Sequence, residues 1–144
     1  MKIIVAAPSN GLALAGEIFK YLEADSRVES VVDISDPNGG YPEVSRRVAI
    51  QIATGVADRA VLVCGTGIGT AIAASTIPGV RAATAHDLYS VVGAVANYDA
   101  QILCMGQNVI APPAALGLVD AWLDASHDPD GPYGPLLERL KAFG

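Results

Sequence analysis

The sequence predicts a single doubly wound, Rossmann-like α/β domain, with a five-stranded parallel sheet and helices on both faces. Three observations predict it. Short apolar runs alternate with longer segments of helical period along residues 1–124. One run, Ala60-Val61-Leu62-Val63-Cys64, is apolar on both faces, as a strand central to a parallel sheet must be. The connections are short, and strands that alternate with helices over short connections build a sheet covered on both sides.

Ile3–Ala7 reads as the first buried strand, followed by a turn at Pro8–Gly11 and a helix with Leu14, Ile18, Tyr21 and Leu22 on one face. Val28–Ile34 is a second strand, ended by the turn signal Asp36-Pro37-Asn38-Gly39-Gly40. The next helix starts near Pro42, a residue suited to a first turn, and spaces Val44, Val48 and Ile52 by four. After the third strand, Ala60–Cys64, comes Gly65-Thr66-Gly67-Ile68-Gly69 and an Ala-rich helix expected to end near Pro78-Gly79. Arg81–Ala85 is a fourth strand, His86-Asp87 opens a helix to about Asn97, and Gln101–Met105 is a fifth strand. A helix over Pro112–Leu123 is expected to bury Leu116, Val119 and Leu123. An Asp-, Pro- and Gly-rich stretch and a short helix, Leu136–Phe143, complete a C-terminal arm over residues 125–144 beyond the core of residues 1–124.

With 144 residues the chain is long enough to bury a core without disulfides. Hydrophobic residues make up 51% and charged ones 17%, and mean hydropathy is +0.39, so part of the apolar surface is expected to meet another subunit. The net charge is −6 and the nine basic residues are scattered, which argues against a nucleic-acid partner. Cys64 and Cys104 lie in apolar runs without disulfide or zinc spacing, and a reducing compartment fits them. Pro8 interrupts the first apolar run too early for a signal-peptide core, and no run reaches membrane-span length. The expectation is a cytoplasmic protein with no membrane partner.

In open α/β sheets, ligands bind beyond the carboxyl ends of the strands. Those positions are Pro8–Asn10, Asp36–Tyr41, Cys64–Gly69, His86-Asp87 and Met105–Asn108. The glycine-rich turn after Cys64 can direct several backbone N–H groups at one point and hold an anion. The same field favours a thiolate at Cys64, and a thiolate beside an anion hole can take a proton from carbon next to a carbonyl. The competing reading makes Cys64 a small core residue. The turn is neither a Walker A loop, since no lysine follows Gly69, nor a dinucleotide fingerprint, whose third glycine falls on Thr70. Asp87, at the end of the next strand, keeps a nucleotide-binding module open as an alternative.

Other residues carry two readings each. Ser9 and Asn10 can bind substrate hydroxyls or supply the N-cap of the first helix. His86 can shuttle protons or simply pack. Tyr41 and Tyr98 can line the site or fill space. Cys104 reads as core, His127 as a solvated loop residue, Asp58-Arg59 as structural, and Arg81 as lying at the base of its strand.

Cys64-Gly65-Thr66-Gly67-Ile68-Gly69 and Ile77-Pro78-Gly79-Val80-Arg81-Ala82-Ala83, with Tyr41-Pro42, His86-Asp87, Met105-Gly106 and Asp120-Ala121-Trp122-Leu123, occur in the order and near the spacing of a known family. The chain resembles the ribose-5-phosphate isomerase B / galactose-6-phosphate isomerase family over residues 1 to about 124. That resemblance implies an aldose–ketose isomerase acting on a small sugar or sugar phosphate through a cis-enediolate, with neither metal nor organic cofactor. It implies Cys64 as the base, with Thr66 and the amides of Gly65, Gly67, Ile68 and Gly69 holding substrate oxygens. It also implies a homodimer or homotetramer with sites at the subunit interface.

The departures bear on the substrate. Where the family's first loop carries Asp-His, this chain has Pro8-Ser9, and Gly40 replaces the acidic residue before Tyr-Pro. Asn97 stands at the position of the ring-opening histidine. The family's phosphate-gripping arginines are missing from Val91–Val95, and the arm has only Arg139 and Lys141. The remaining candidates for substrate binding are thus Ser9, Asn10, Tyr41, His86, Asn97 and Arg139. A four-carbon sugar phosphate does not need a ring opened, and Ala100-Gln101-Ile102 resembles tetrulose-phosphate isomerases of the family; a pentose phosphate is the alternative. A non-catalytic partner subunit is a further reading, because galactose-6-phosphate isomerases pair two kinds of chain.

Overall fold

The computed structural model describes residues 1–144. In strand β1 (Lys2–Ala6) alternate side chains serve opposite faces: Ile3 and Val5 join one apolar cluster, Ile4 and Ala6 the other. Strands β2 (Ser30–Asp33), β3 (Arg59–Cys64), β4 (Ala82–Thr84) and β5 (Ile102–Gly106) pair with it into one parallel sheet of order β2-β1-β3-β5-β4. The predicted α/β class and five parallel strands are present. From β1 the chain runs outward to the edge strand β2 and then returns to β3 on the other side of β1. That reversal opens a crevice at the carboxyl ends of β1 and β3.

Helices α1 (Leu12–Glu23), α4 (Leu88–Tyr98) and α5 (Pro112–Asp124) cover one face through Leu14, Ile18, Leu22, Val91, Val95, Val119 and Trp122. Helices α2 (Tyr41–Ala53) and α3 (Ile68–Ala74) cover the other, with Val44, Val48, Ile52 and Ala74 packed on Leu62 and Cys104. The short helix α6 (Gly134–Lys141) follows the arm. No helix is long and apolar enough to cross a membrane.

Several expectations need correction. The second and fourth strands are shorter than their apolar runs, because both are edge strands with a pairing partner on one side only. Helix α3 stops at Ala74, where Ser75 and Thr76 begin a chain of tight turns to Val80. On α5 the fully buried residues are Ala115, Val119, Trp122 and Leu123, while Leu116 is only partly buried. Helix α6 begins before Pro135 rather than after it, since proline fits the first turn. His127 is half-buried rather than solvated, and its Nδ1 lies 2.8 Å from the Ala96 carbonyl, tying the arm to α4.

Two basic residues act as struts. Arg59 donates to the Trp122 and Ala125 carbonyls at 2.6 Å each and lies over the Trp122 ring, closing the end of α5. Arg81, at the base of β4, donates to the Tyr98 and Asp99 carbonyls.

Candidate active site

Cys64 ends β3, the central strand, so its side chain arrives in the crevice on rigid backbone. The chain then turns sharply, and Gly67 adopts φ +77°, a left-handed conformation that favours glycine. A Cβ there would also stand 2.9 Å from the Met105 carbonyl carbon, so the turn lies directly on β5. From the other side Gly106 closes the contact, its missing Cβ leaving room for the Thr66 backbone. The Gln107 and Asn108 amides donate to the Cys64 and Gly65 carbonyls at 2.8 and 3.0 Å and lock the turn to the end of β5.

This geometry aims the turn at the sulfur. The Gly67 N–H donates to Cys64 Sγ at 3.2 Å, and the Thr70 hydroxyl stands 3.6 Å from it. Burial opposes ionisation of this thiol. The Thr70 hydroxyl and the Thr70, Thr66 and Gly67 amides more than offset that penalty, and the pKa is held below that of an ordinary cysteine. Cys104, one strand over, is completely enclosed, and burial pushes its thiol up to about 12. It is core, as its apolar run suggests.

Above Cys64 lies a cavity of about 550 Å3 lined by Pro8, Ser9, Asn10, Gly39, Gly40, Tyr41, Cys64, Gly65, Thr66, Gly69 and Asn108. The Tyr41 ring lies against Gly69, whose absent Cβ would be 3.0 Å from Tyr41 Cδ2. Thr66 Oγ1 accepts the Ile68 N–H at 3.1 Å, which leaves the hydroxyl proton available to a ligand oxygen. Asn10 and Asn108 converge, since a Cβ on Gly65 would be 3.2 Å from the Nδ2 of each. No Lys, Arg, Asp or Glu lines the cavity. No group of three or more His, Cys, Asp and Glu side chains comes together as a metal site.

The crevice thus unites Ser9, Asn10, Tyr41, Cys64, Gly65, Thr66 and Gly69. Gly67 and Ile68 stand behind it, their amides committed to Cys64 and Thr66. Ser9 and Asn10 make no capping bond, because they form a 3₁₀ turn and Gly11 precedes α1. The first-turn amide of Leu14 instead donates to Gln107 Oε1. His86 does not line the cavity: its Nε2 accepts the Gly106 N–H at 2.8 Å, and burial lowers its pKa, so the ring is neutral at pH 7 with its proton on Nδ1. Asp87 caps α4, one of its carboxylate oxygens accepting the Ser90 amide.

Asn97 faces a separate groove with Leu88, Tyr89, Val92 and Tyr133, and Arg139 lies on exposed α6 beside Leu136 and Phe143. Neither reaches Cys64's cavity within this chain. Gly39, Gly40 and Asn108 are cavity residues without a sequence motif; only their place at strand ends marks them.

The ribose/galactose isomerase family model matches residues 3–137. D-erythrulose-4-phosphate isomerase 2 of Mycolicibacterium smegmatis is 44% identical over 147 aligned residues, covering 99% of this chain and 97% of that protein. D-erythrulose-4-phosphate isomerase of Pectobacterium atrosepticum is 37% identical over 144, covering 97% and 93%. Among solved structures, ribose-5-phosphate isomerase B of Clostridium thermocellum superposes with a TM-score of 0.92 at 31% identity, covering 99% of this chain and 97% of that one.

Proposed function

This chain belongs to the ribose/galactose isomerase family of sugar phosphate isomerases, and we propose that it interconverts a tetrulose 4-phosphate and the corresponding aldose phosphate with Cys64 as the base. The observation that carries the proposal is the sulfur held at the cavity floor by the Gly67 amide and the Thr70 hydroxyl, with its pKa lowered. The Cys64 thiolate takes a proton from C1 of the ketose, and the C–H electron pair becomes the C1=C2 bond of a cis-enediolate. The Cys64 thiol returns that proton to C2 while the O1 hydroxyl proton passes to O2, giving the aldose. Thr66, Asn10 and Asn108 offer hydrogen-bond donors to the two oxygens, where charge develops.

Substrate size rests on Asn97, which stands at the position of the family's ring-opening histidine and, lying outside this chain's own cavity, comes to a site only across a subunit interface. A carboxamide lacks the acid–base range of an imidazole and cannot drive ring opening near pH 7. A tetrose 4-phosphate has no such need, because the oxygen that would close a five-membered ring is esterified. The identity with two proteins named D-erythrulose-4-phosphate isomerases supports the same size. The uncharged cavity lining leaves the phosphate without a cation from its own subunit. Arg139 supplies one from a neighbouring subunit, in a homodimer or homotetramer with its sites at the interface.

Proton exchange followed by NMR in D2O tests this directly, with ketose phosphates of four to six carbons. Exchange at C1 with D-erythrulose 4-phosphate, lost in a folded Cys64→Ala variant, is expected. Undiminished exchange in that variant would remove Cys64 as the base, and exchange only with a five- or six-carbon substrate would remove the tetrulose assignment.

A further inference from the structure

Apart from Ser45, Thr70 is the only polar residue buried in the core, and it is completely inaccessible to solvent. Its hydroxyl carries one proton and faces the Gly67 carbonyl and the Cys64 sulfur, with the fully buried Cys104 thiol also beside it. It donates to the Gly67 carbonyl at 3.2 Å and stands 3.6 Å from Cys64 Sγ. The Gly67 carbonyl also receives the Thr84 hydroxyl from β4, at 2.7 Å. Gly67 therefore keeps a strong donor whichever way the Thr70 proton turns, and a buried carbonyl is not left unpaired.

We infer that Thr70 is a positioning residue that couples the ionisation of Cys64 to rotation of a single hydroxyl. This rests on Cys64 acting as the base. While Cys64 is a thiol, its S–H donates to Thr70 Oγ1 and the Thr70 O–H donates to the Gly67 carbonyl. When Cys64 is a thiolate, the Thr70 O–H turns to the sulfur and Thr84 alone holds Gly67. Proton abstraction from the substrate reverses the rotation: the sulfur gains the carbon-bound proton, and Thr70 swings back to Gly67. Thr70 gains and loses no proton overall. A completely buried hydroxyl can do this without admitting water, and its hydrogen bond keeps the sulfur aimed at the cavity.

The groups around the thiol are few enough for a clean test. Tyr41 faces it from α2, Cys104 from β5, and His86 from the segment after β4 through Gly106. Two carboxylates stand beside the cavity residues Gly39 and Gly40, where missing Cβ atoms would meet Asp36 and Glu43.

The measurement is the pH dependence of Cys64 alkylation by iodoacetamide, read by mass spectrometry on folded protein. It reports the thiolate whether or not the protein turns over a sugar, so failure of this inference is separable from failure of the assigned reaction. In Thr70→Val the profile is expected to move up by about one pH unit, since a hydrogen bond to a charged group is commonly worth a tenfold change or more. Thr70→Ser retains the hydroxyl and is expected to keep the native profile. Thr84→Val, altered at the sheet edge, is expected to shift the profile in the same direction by a smaller amount, because Thr70 must then stay with Gly67. Native profiles in Thr70→Val and Thr84→Val, or a shift in Thr70→Ser as large as in Thr70→Val, would overturn the inference. If Thr70→Val does not fold, Thr84→Val decides by itself.

Discussion

Cys64 and Cys104 lie on neighbouring strands, and their surroundings separate them chemically. Cys104 is completely enclosed, and burial outweighs the Thr70 hydroxyl beside it so that it keeps its proton, whereas Cys64 sits under amides and a hydroxyl that favour its loss. A thiol reagent near neutral pH should therefore report Cys64 alone. Ser45, the other buried polar residue, is a different case. Its hydroxyl is fully enclosed on α2 with no hydrogen-bond partner. Leaving such a group unsatisfied costs roughly 1–3 kcal/mol, and alanine is also the better helix former. Ser45→Ala is accordingly expected to raise stability by about 1 kcal/mol, seen as a higher urea midpoint at unchanged slope. A loss of stability on the same scale would mean that the hydroxyl does pay its way in the packed interior.

At the scale of elements, the last turn of α5 poses an electrostatic problem. Asp124 lies there and Asp120 one turn before it, near the end where the helix dipole disfavours anions. Arg27, between α1 and β2, answers it by donating to Asp120 at 2.6 Å, Asp124 at 2.8 Å and its near neighbour Asp25 at 2.6 Å. Hydrogen bonds from Arg27 hold the Asp25 carboxyl down to about 2 and lower Asp120 as well. A carboxyl whose folded pKa is depressed adds stability above its unfolded pKa and loses it as pH falls through the folded value. The contribution is thus intact above about pH 4 and gone near pH 2, and solvent exposure keeps it modest. Melting temperatures of the native protein should fall more steeply across that window than those of Arg27→Met. Parallel curves would show that the cluster contributes nothing to acid stability.

At the scale of the molecule, the cavity that contains Cys64 lacks a cation, while Arg139 and Asn97 lie on surfaces remote from it. Exposed Leu88, Tyr89, Leu136, Leu140 and Phe143 accompany those surfaces. If a site is completed across two subunits, inactive Cys64→Ala and Arg139→Ala chains should rescue one another when co-expressed. Random pairing makes half of the dimers mixed, each with one intact site, so about a quarter of native activity is expected. A site built within one chain leaves no intact combination, and the mixture would remain inactive.

Much of this protein was legible from local pattern. The run Ala60–Cys64 required a central parallel strand because no exposed strand tolerates apolar residues on both faces, and β3 has β1 and β5 as neighbours. The turn at Gly65–Gly69 announced its own chemistry, since only glycine admits the close approach at Gly67. Positions that depend on distant partners were hidden. Ser9 and Asn10 offered good caps by sequence, yet the packing of their turn on β3 put them at the cavity. Asn108 had no motif and acquires a place only because β5 ends beside β3. His86 looked available until the Gly106 amide claimed its nitrogen. By itself the sequence determined the elements, the α/β class and the reactive turn, all set by side-chain period and backbone sterics over a few residues. Only the tertiary structure decided which strand ends share the crevice, and that Cys64, Thr70, Gly67 and Thr84 form one hydrogen-bonded chain, because those contacts join two strands that are not neighbours, β3 and β4, with α3 and the turn before it.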